Sequence, residues 1–194
     1  SIPFILFGFG VVDSFFESMS GITTTGATVI AGLDDLPKSL LIYRQLLQWL
    51  GGMGLIVLAI AVMPLLGIGG GQLFKTQTPG PMSEQRLTPR ITSTARALWS
   101  IYFVLTVLCI FAYRLAGMSY FDAVSHAFST VSIGGFSTHD LSIGFFDSLS
   151  IEIVCITFML LSAMSFAVHY SAIYRKQVLK YFYDPELRLS LIHI

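Results

Sequence analysis

Asp13-Ser14-Phe15-Phe16-Glu17-Ser18-Met19-Ser20-Gly21-Ile22-Thr23-Thr24-Thr25-Gly26-Ala27-Thr28 returns later in the chain as Asp122-Ala123-Val124-Ser125-His126-Ala127-Phe128-Ser129-Thr130-Val131-Ser132-Ile133-Gly134-Gly135-Phe136-Ser137. The two copies align without a gap at a constant offset of 109 (122 − 13 and 135 − 26). Asp13 meets Asp122, Ser20 meets Ser129, Thr23 meets Ser132, Gly26 meets Gly135 and Thr28 meets Ser137. Polar and glycine positions match while apolar ones drift, the pattern expected when chemistry fixes the former. A fixed-period internal repeat sets the fold before any single element does.

Each copy is a short apolar stretch with a hydroxyl- and glycine-rich tail. At 10–14 residues such a stretch is too short to cross a bilayer and reads as re-entrant. Non-helical backbone at that depth is tolerated where protein buries it or where it lines a watery cavity. One use for it there is to aim successive carbonyls at a dehydrated cation in place of its water shell. Glycine supplies the φ values that such a turn needs. The short helix ends at the loop, so its partial negative end favours a cation. The candidate ion-binding residues are Thr23, Thr24, Thr25 and Gly26 in the first loop, and Ser132, Ile133, Gly134 and Gly135 in the second.

Composition gives the same solvent. Of the 194 residues 54% are hydrophobic and 11% charged, with mean hydropathy +0.76, outside the range of soluble domains and typical of a chain in lipid. The net charge is zero, which excludes nucleic-acid binding through a basic surplus. Cys109 and Cys155 lie in long apolar runs without a CxxC pairing and read as packing thiols.

Long apolar runs at about 39–66, 97–116 and 145–173 are candidate spans. Lys75, Arg86, Arg90 and Arg96 against Glu84 make the connector 67–96 cytoplasmic. Asp34, Asp35, Asp122, Asp140 and Asp147 fall on the other side, with Lys38, Arg44 and Arg114 diluting the asymmetry. The expected organisation is an all-α membrane protein. Residues 1–66 form the rear of a first unit (short helix 13–22, loop 23–28, inner helix about 39–66). Residues 97–174 form a full second unit (outer helix 97–116, short helix 121–131, loop 132–137, inner helix 145–173). Residues 175–194 form a cytoplasmic linker. The chain is expected to be cut from a longer protein, with the final hexapeptide foreign or truncated.

Other motifs read as bland. Gly67-Ile68-Gly69-Gly70-Gly71 lacks the Lys-Ser/Thr of a phosphate loop and follows no strand. Glu17, His126 and Glu152 are ionisable groups in apolar surroundings, read as interhelical hydrogen-bond partners or vestibule groups, with a contribution to a cation field as the sharper reading. Asp35 and Asp140 are candidate cation-concentrating charges at the mouth. Ser125 and His126 are adjacent on a helix and face different ways, so no nucleophile–base pair emerges and an enzyme is not expected. A secondary transporter with broken helices is the other alternative; its repeats are often inverted, whereas these two enter from one side.

The segments 16–28 and 127–140, with Trp49-Leu50-Gly51-Gly52-Met53-Gly54, closely resemble the TrkH family, the membrane subunits of the bacterial Trk potassium-uptake systems within the wider Trk/Ktr/HKT superfamily. The likeness runs from residue 1 to about 188. The resemblance implies a potassium-channel-like pore built from four such units in one polypeptide, of which this chain holds about one and a half. It makes Gly26 and Gly135 the first two filter glycines. It further implies K+ as the transported ion with no bound cofactor, a multi-pass place in the bacterial inner membrane, a homodimer of full-length subunits surrounded by lipid, and a cytoplasmic nucleotide-binding regulatory partner of the TrkA type.

Overall fold

In the computed structural model, residues 1–62, 87–164 and 169 are described, with backbone alone for 55–62 and 87–95. The expected connector over 67–86, the far ends of the two inner helices apart from residue 169, and the linker with its hexapeptide lie outside the described residues. Among the described residues six helices follow one another: α1 Ile2–Leu6, α2 Val11–Ile22, α3 Lys38–Val62, α4 Leu87–Leu115, α5 Tyr120–Val131 and α6 Leu149–Ala163. Short 3-10 turns at Leu33–Asp35 and Ser142–Phe146 precede α3 and α6. Among the described residues there is no strand.

α2 is amphipathic in the reverse of the soluble sense. Ser14, Glu17, Ser20 and Gly21 are buried, while Val11, Val12, Phe15, Phe16, Met19 and Ile22 are exposed. A helix with its polar stripe inward and apolar stripe outward is stable only where the outside is apolar. α4 repeats the theme, with Phe103, Val104, Leu108 and Phe111 exposed. Its segment Arg96–Leu115, with mean hydropathy 1.8, is the one described helix long and apolar enough in composition to cross a membrane, and Leu149–Ala163 is a shorter apolar helix. α3 has 25 residues and so a length of about 37 Å at 1.5 Å per residue.

α5 sits in the middle, packed on α3, α4 and α6, while α2 packs on α3. Ala123 and Ala127, one turn apart on α5, have no exposed surface and let Tyr102, Cys109 and Tyr113 of α4 close over them. A second cluster, around Phe4, Ile30, Leu33, Leu40 and Leu41, seats α1 and the first linker on α3. Cys109 is buried and Cys155 half-buried, both as free thiols.

Three boundaries differ from expectation, one being the end of the second inner helix, expected at 173: α6 stops at Ala163, where Met164 turns extended at φ −69° and ψ 147°. α4 starts at Leu87, ten residues ahead of position 97, so the last part of the connector is helical. The second inner helix starts at Leu149 rather than 145, because Ser142–Phe146 is a 3-10 turn closed by Asp147 at φ 41°, and its apolar Ile143, Phe145 and Phe146 mimic a helix onset in sequence.

Gly51 and Gly52 of α3 act by close approach, and the helix is unbroken across them. A Cβ on Gly51 would collide with the carbonyl oxygen of Ile22 at the end of α2, and one on Gly52 would lie 3.0 Å from Cβ of Ser132 at the end of α5. Gly54 meets nothing within 4 Å. Gly51→Ala is therefore expected to destabilise the full-length protein by about 1–3 kcal/mol through overpacking. Gly54→Ala should be neutral or stabilising by up to ~1 kcal/mol through helix propensity. Thermal unfolding of the two purified variants separates these outcomes; equal shifts would count against the contact.

Candidate ion-binding loops at the ends of α2 and α5

The 109-residue repeat extends to the backbone. At the end of α1, Gly8 N donates to Ile5 O and Phe9 N to Phe4 O; at the end of α4, Gly117 N donates to Arg114 O and Met118 N to Tyr113 O. Gly8 and Gly117 carry the left-handed φ of 97° and 109° that this helix stop requires. The same stop recurs where α2 and α5 end. Thr24 N donates to Gly21 O and Thr25 N to Ser20 O, matched by Ile133 N to Thr130 O and Gly134 N to Ser129 O.

Here the left-handed residue is not glycine. Thr24 and Ile133 both sit at φ 54°. A β-branched residue in that region is a genuine outlier, at about 1–3 kcal/mol each. The fold uses glycine for the identical turn at 8 and 117, so the strained choice at both 24 and 133 marks these loops as the special ones.

Past the strained residue the chain runs through Gly26 at φ 76° and Gly135 at φ 82°, again equivalent positions. The loops meet here. A Cβ on Gly26 would collide with the carbonyl oxygen of Gly134 and stand 3.6 Å from Cα of Gly135. Gly135 has nothing within 4 Å on its own Cβ side. All eight candidate residues thus belong to two loops in contact across one junction.

Their polar groups are sorted by type. The N–H groups of Thr23, Thr24, Thr25, Ser132, Ile133 and Gly134 turn back into the ends of α2 and α5. The carbonyls of Thr23, Thr24, Thr25, Gly26, Ser132, Ile133 and Gly135 accept no hydrogen bond among the described residues. Gly134 is the exception: its carbonyl accepts from Gln48 Nε2 at 2.7 Å, and Gln48 Oε1 accepts from Phe136 N at 3.1 Å. Six of the eight loop N–H groups are consumed, those of Gly26 and Gly135 being the exceptions among the described residues, while seven of the eight carbonyls are left free, a bias toward a cation rather than an anion.

The ionisable pair Glu17 and His126, equivalent under the repeat, holds the far end of each loop. Thr28 Oγ1 donates to Glu17 at 2.9 Å, and Val29 N donates to it at 3.3 Å. His126 Nδ1 lies 2.9 Å from the carbonyl of Asp122, to which it donates; that leaves Nε2 of the neutral ring to accept from Ser137 Oγ at 2.9 Å. Thr28 and Ser137 are themselves equivalent, so one device is built twice from different chemistry.

Sequence reading counted Arg44 among external charges, but the structure buries it completely (0% exposed) beside Glu17, also at 0%. Arg44 and Gln48 were missed as site residues. Their signal was a polar pair at i, i+4 inside an apolar run, where polar groups are rare unless used.

At the rim, both carboxylate oxygens of Asp140 accept backbone N–H groups of the first linker, from Gly32 at 3.0 Å and Leu33 at 2.9 Å. His139 pairs with Asp34, and that hydrogen bond holds the Asp34 carboxyl below its usual range. Asp35 is exposed. Glu152 lies in the first turn of α6, away from these contacts.

The sequence profile of the TrkH family, described as a cation transport protein, matches residues 7–193. The chain is 55% identical over its whole length to the Trk system potassium uptake protein TrkH of Halomonas elongata, covering 41% of that protein. It is 51% identical over 93% of its length to the Escherichia coli K12 protein of the same name, covering 38% of it. The crystal structure of the potassium transporter TrkH from Vibrio parahaemolyticus superposes with a TM-score of 0.81 at 52% identity, over 95% of this chain and 36% of that one. The chain thus spans about two fifths of the length of the curated relatives it matches. By profile, identity and fold together, the chain belongs to the TrkH cation transport protein family.

Proposed function

We propose that this chain supplies two of the loops that select potassium in an uptake protein of the bacterial inner membrane, working as a channel-like pathway rather than as an enzyme. The observation that carries the reading is the row of unbonded carbonyls on two equivalent, strained loops that touch at Gly26 and Gly134. A potassium ion entering such a junction exchanges water oxygens for carbonyl oxygens of Thr23–Gly26 and Ser132–Gly135. The Gly134 carbonyl, shared with Gln48, sets the loop as much as it binds the ion. Glu17 is neutralised by Arg44, so dipoles rather than a net charge set the field, which suits an ion that must also leave.

Asp35 is the free rim charge suited to concentrating cations, while Asp140 holds the two linkers together. The full pathway needs further units of the same kind from the remainder of the polypeptide. The relatives are named as members of a Trk system, which supports further components acting with the full-length protein; a homodimer of full-length subunits with a TrkA-like nucleotide-binding regulatory partner on the cytoplasmic side is our proposal for them.

The test is Gly135→Ser in the full-length protein. Open space at this site lets the side chain fit, while φ 82° makes the backbone adjust. Assembly should survive and sodium should enter more readily. Unchanged potassium-over-sodium preference in uptake assays would remove Gly135 from the filter.

A further inference from the structure

We propose that Arg44 is a positioning residue for ion selection: one buried guanidinium fixes the spacing of the two loops by holding Thr28 of the first and Ser137 of the second. The inference rests on reading those loops as the filter. Arg44 Nε donates to Glu17 Oε1 at 2.8 Å, and Nη2 approaches the same oxygen at 2.6 Å. Nη2 also donates to Thr28 Oγ1 at 3.0 Å, and Nη1 reaches across to the carbonyl of Ser137 at 3.3 Å. The central carbon of the guanidinium lies over the Phe136 ring, 4.4 Å from its centre, and Phe136 is the residue after Gly135. A planar fork with several fixed donors makes all these contacts from one place, which an ammonium on a flexible stem does not.

A group needed only to balance Glu17 within one unit has no reason to touch the other loop. Arg44 does touch it, and the repeat gives it no counterpart: α3 and α6 start at Lys38 and Leu149, an offset of 111 (149 − 38) that places the uncharged Cys155 opposite Arg44 in the second unit. His126 takes Glu17's place there and holds Ser137 without a cation. Arg44 is therefore a feature of the seam between units, not of each unit.

The experiment is Arg44→Lys in the full-length protein in liposomes, read as the potassium-over-sodium flux ratio, with Gly135→Ser alongside. Lysine keeps the charge beside Glu17, so a purely structural role predicts full rescue of both assembly and selectivity. The positioning role predicts a monodisperse protein whose preference falls roughly tenfold, about 1.4 kcal/mol of differential ion stabilisation. Wild-type preference in Arg44→Lys with altered preference in Gly135→Ser overturns the role of Arg44 alone. Wild-type preference in both overturns the filter reading beneath it. Should Arg44→Lys fail to assemble, Thr28→Val decides, because it cuts one loop from the guanidinium and leaves the ion pair intact; it should lower the preference, and an unchanged ratio refutes the proposal.

Discussion

Gly26→Ala in the full-length protein should reduce potassium uptake to near background, while Gly135→Ala should leave a protein that assembles and conducts with poorer selectivity. The two glycines are equivalent in the repeat and nearly identical in φ, at 76° and 82°, so conformation alone predicts equal effects. Surroundings break the tie. An alanine Cβ at position 26 runs into the backbone carbonyl of Gly134, and a backbone atom yields only if the second loop moves as a body. That carbonyl is anchored by Gln48, so movement also strains its 2.7 Å hydrogen bond. The left-handed penalty of about 1–2 kcal/mol adds to an overpacking term of about 1–3 kcal/mol, and both fall in the proposed filter. At position 135 the first term acts alone. Rubidium uptake by a potassium-uptake-deficient strain, normalised to membrane expression, ranks the two; equal uptake would mean that the loops do not meet as described.

Much of this was legible in the sequence because a repeat reveals what hydropathy hides. The glycines at 26 and 135, the acid at the start of each short helix and the order of short helix, loop and long helix all follow from one gap-free alignment. The strained turns were not legible. Thr24 and Ile133 are among the last residues that local preference places in the left-handed region, and tertiary context overrides it. Arg44 and Gln48 were hidden for a different reason. A span is recognised by averaging hydropathy, and averaging discards the few polar positions that face inward. Their spacing of four, with Gly51 and Gly52 one turn further on, marks the face of α3 that both loops lean on. Asp140 shows the converse error, since an acid near the mouth looks like a free charge until its oxygens are found on Gly32 and Leu33.

The buried pair yields the second large effect, on stability. Glu17→Ala leaves the Arg44 guanidinium without a counter-charge, strips Val29 N of its acceptor and leaves Thr28 Oγ1 only the longer bond to the Ile30 carbonyl at 3.4 Å. Breaking one side of a fully buried ion pair is worth about 3–5 kcal/mol, because the remaining charge stays desolvated with no partner. Removing both charges at once is different: a well-packed apolar pair of similar volume is often neutral or better. Glu17→Leu combined with Arg44→Met should therefore recover most of the thermal stability lost in Glu17→Ala. It should not recover selective uptake, because no apolar side chain can hold Thr28 and the Ser137 carbonyl at the same time. Unfolding temperature and potassium-over-sodium ratio are thus expected to separate in the double variant. If they instead recover together, the pair serves only to fill space between α2 and α3, and the loops take their spacing from Gln48 and the glycine contacts alone.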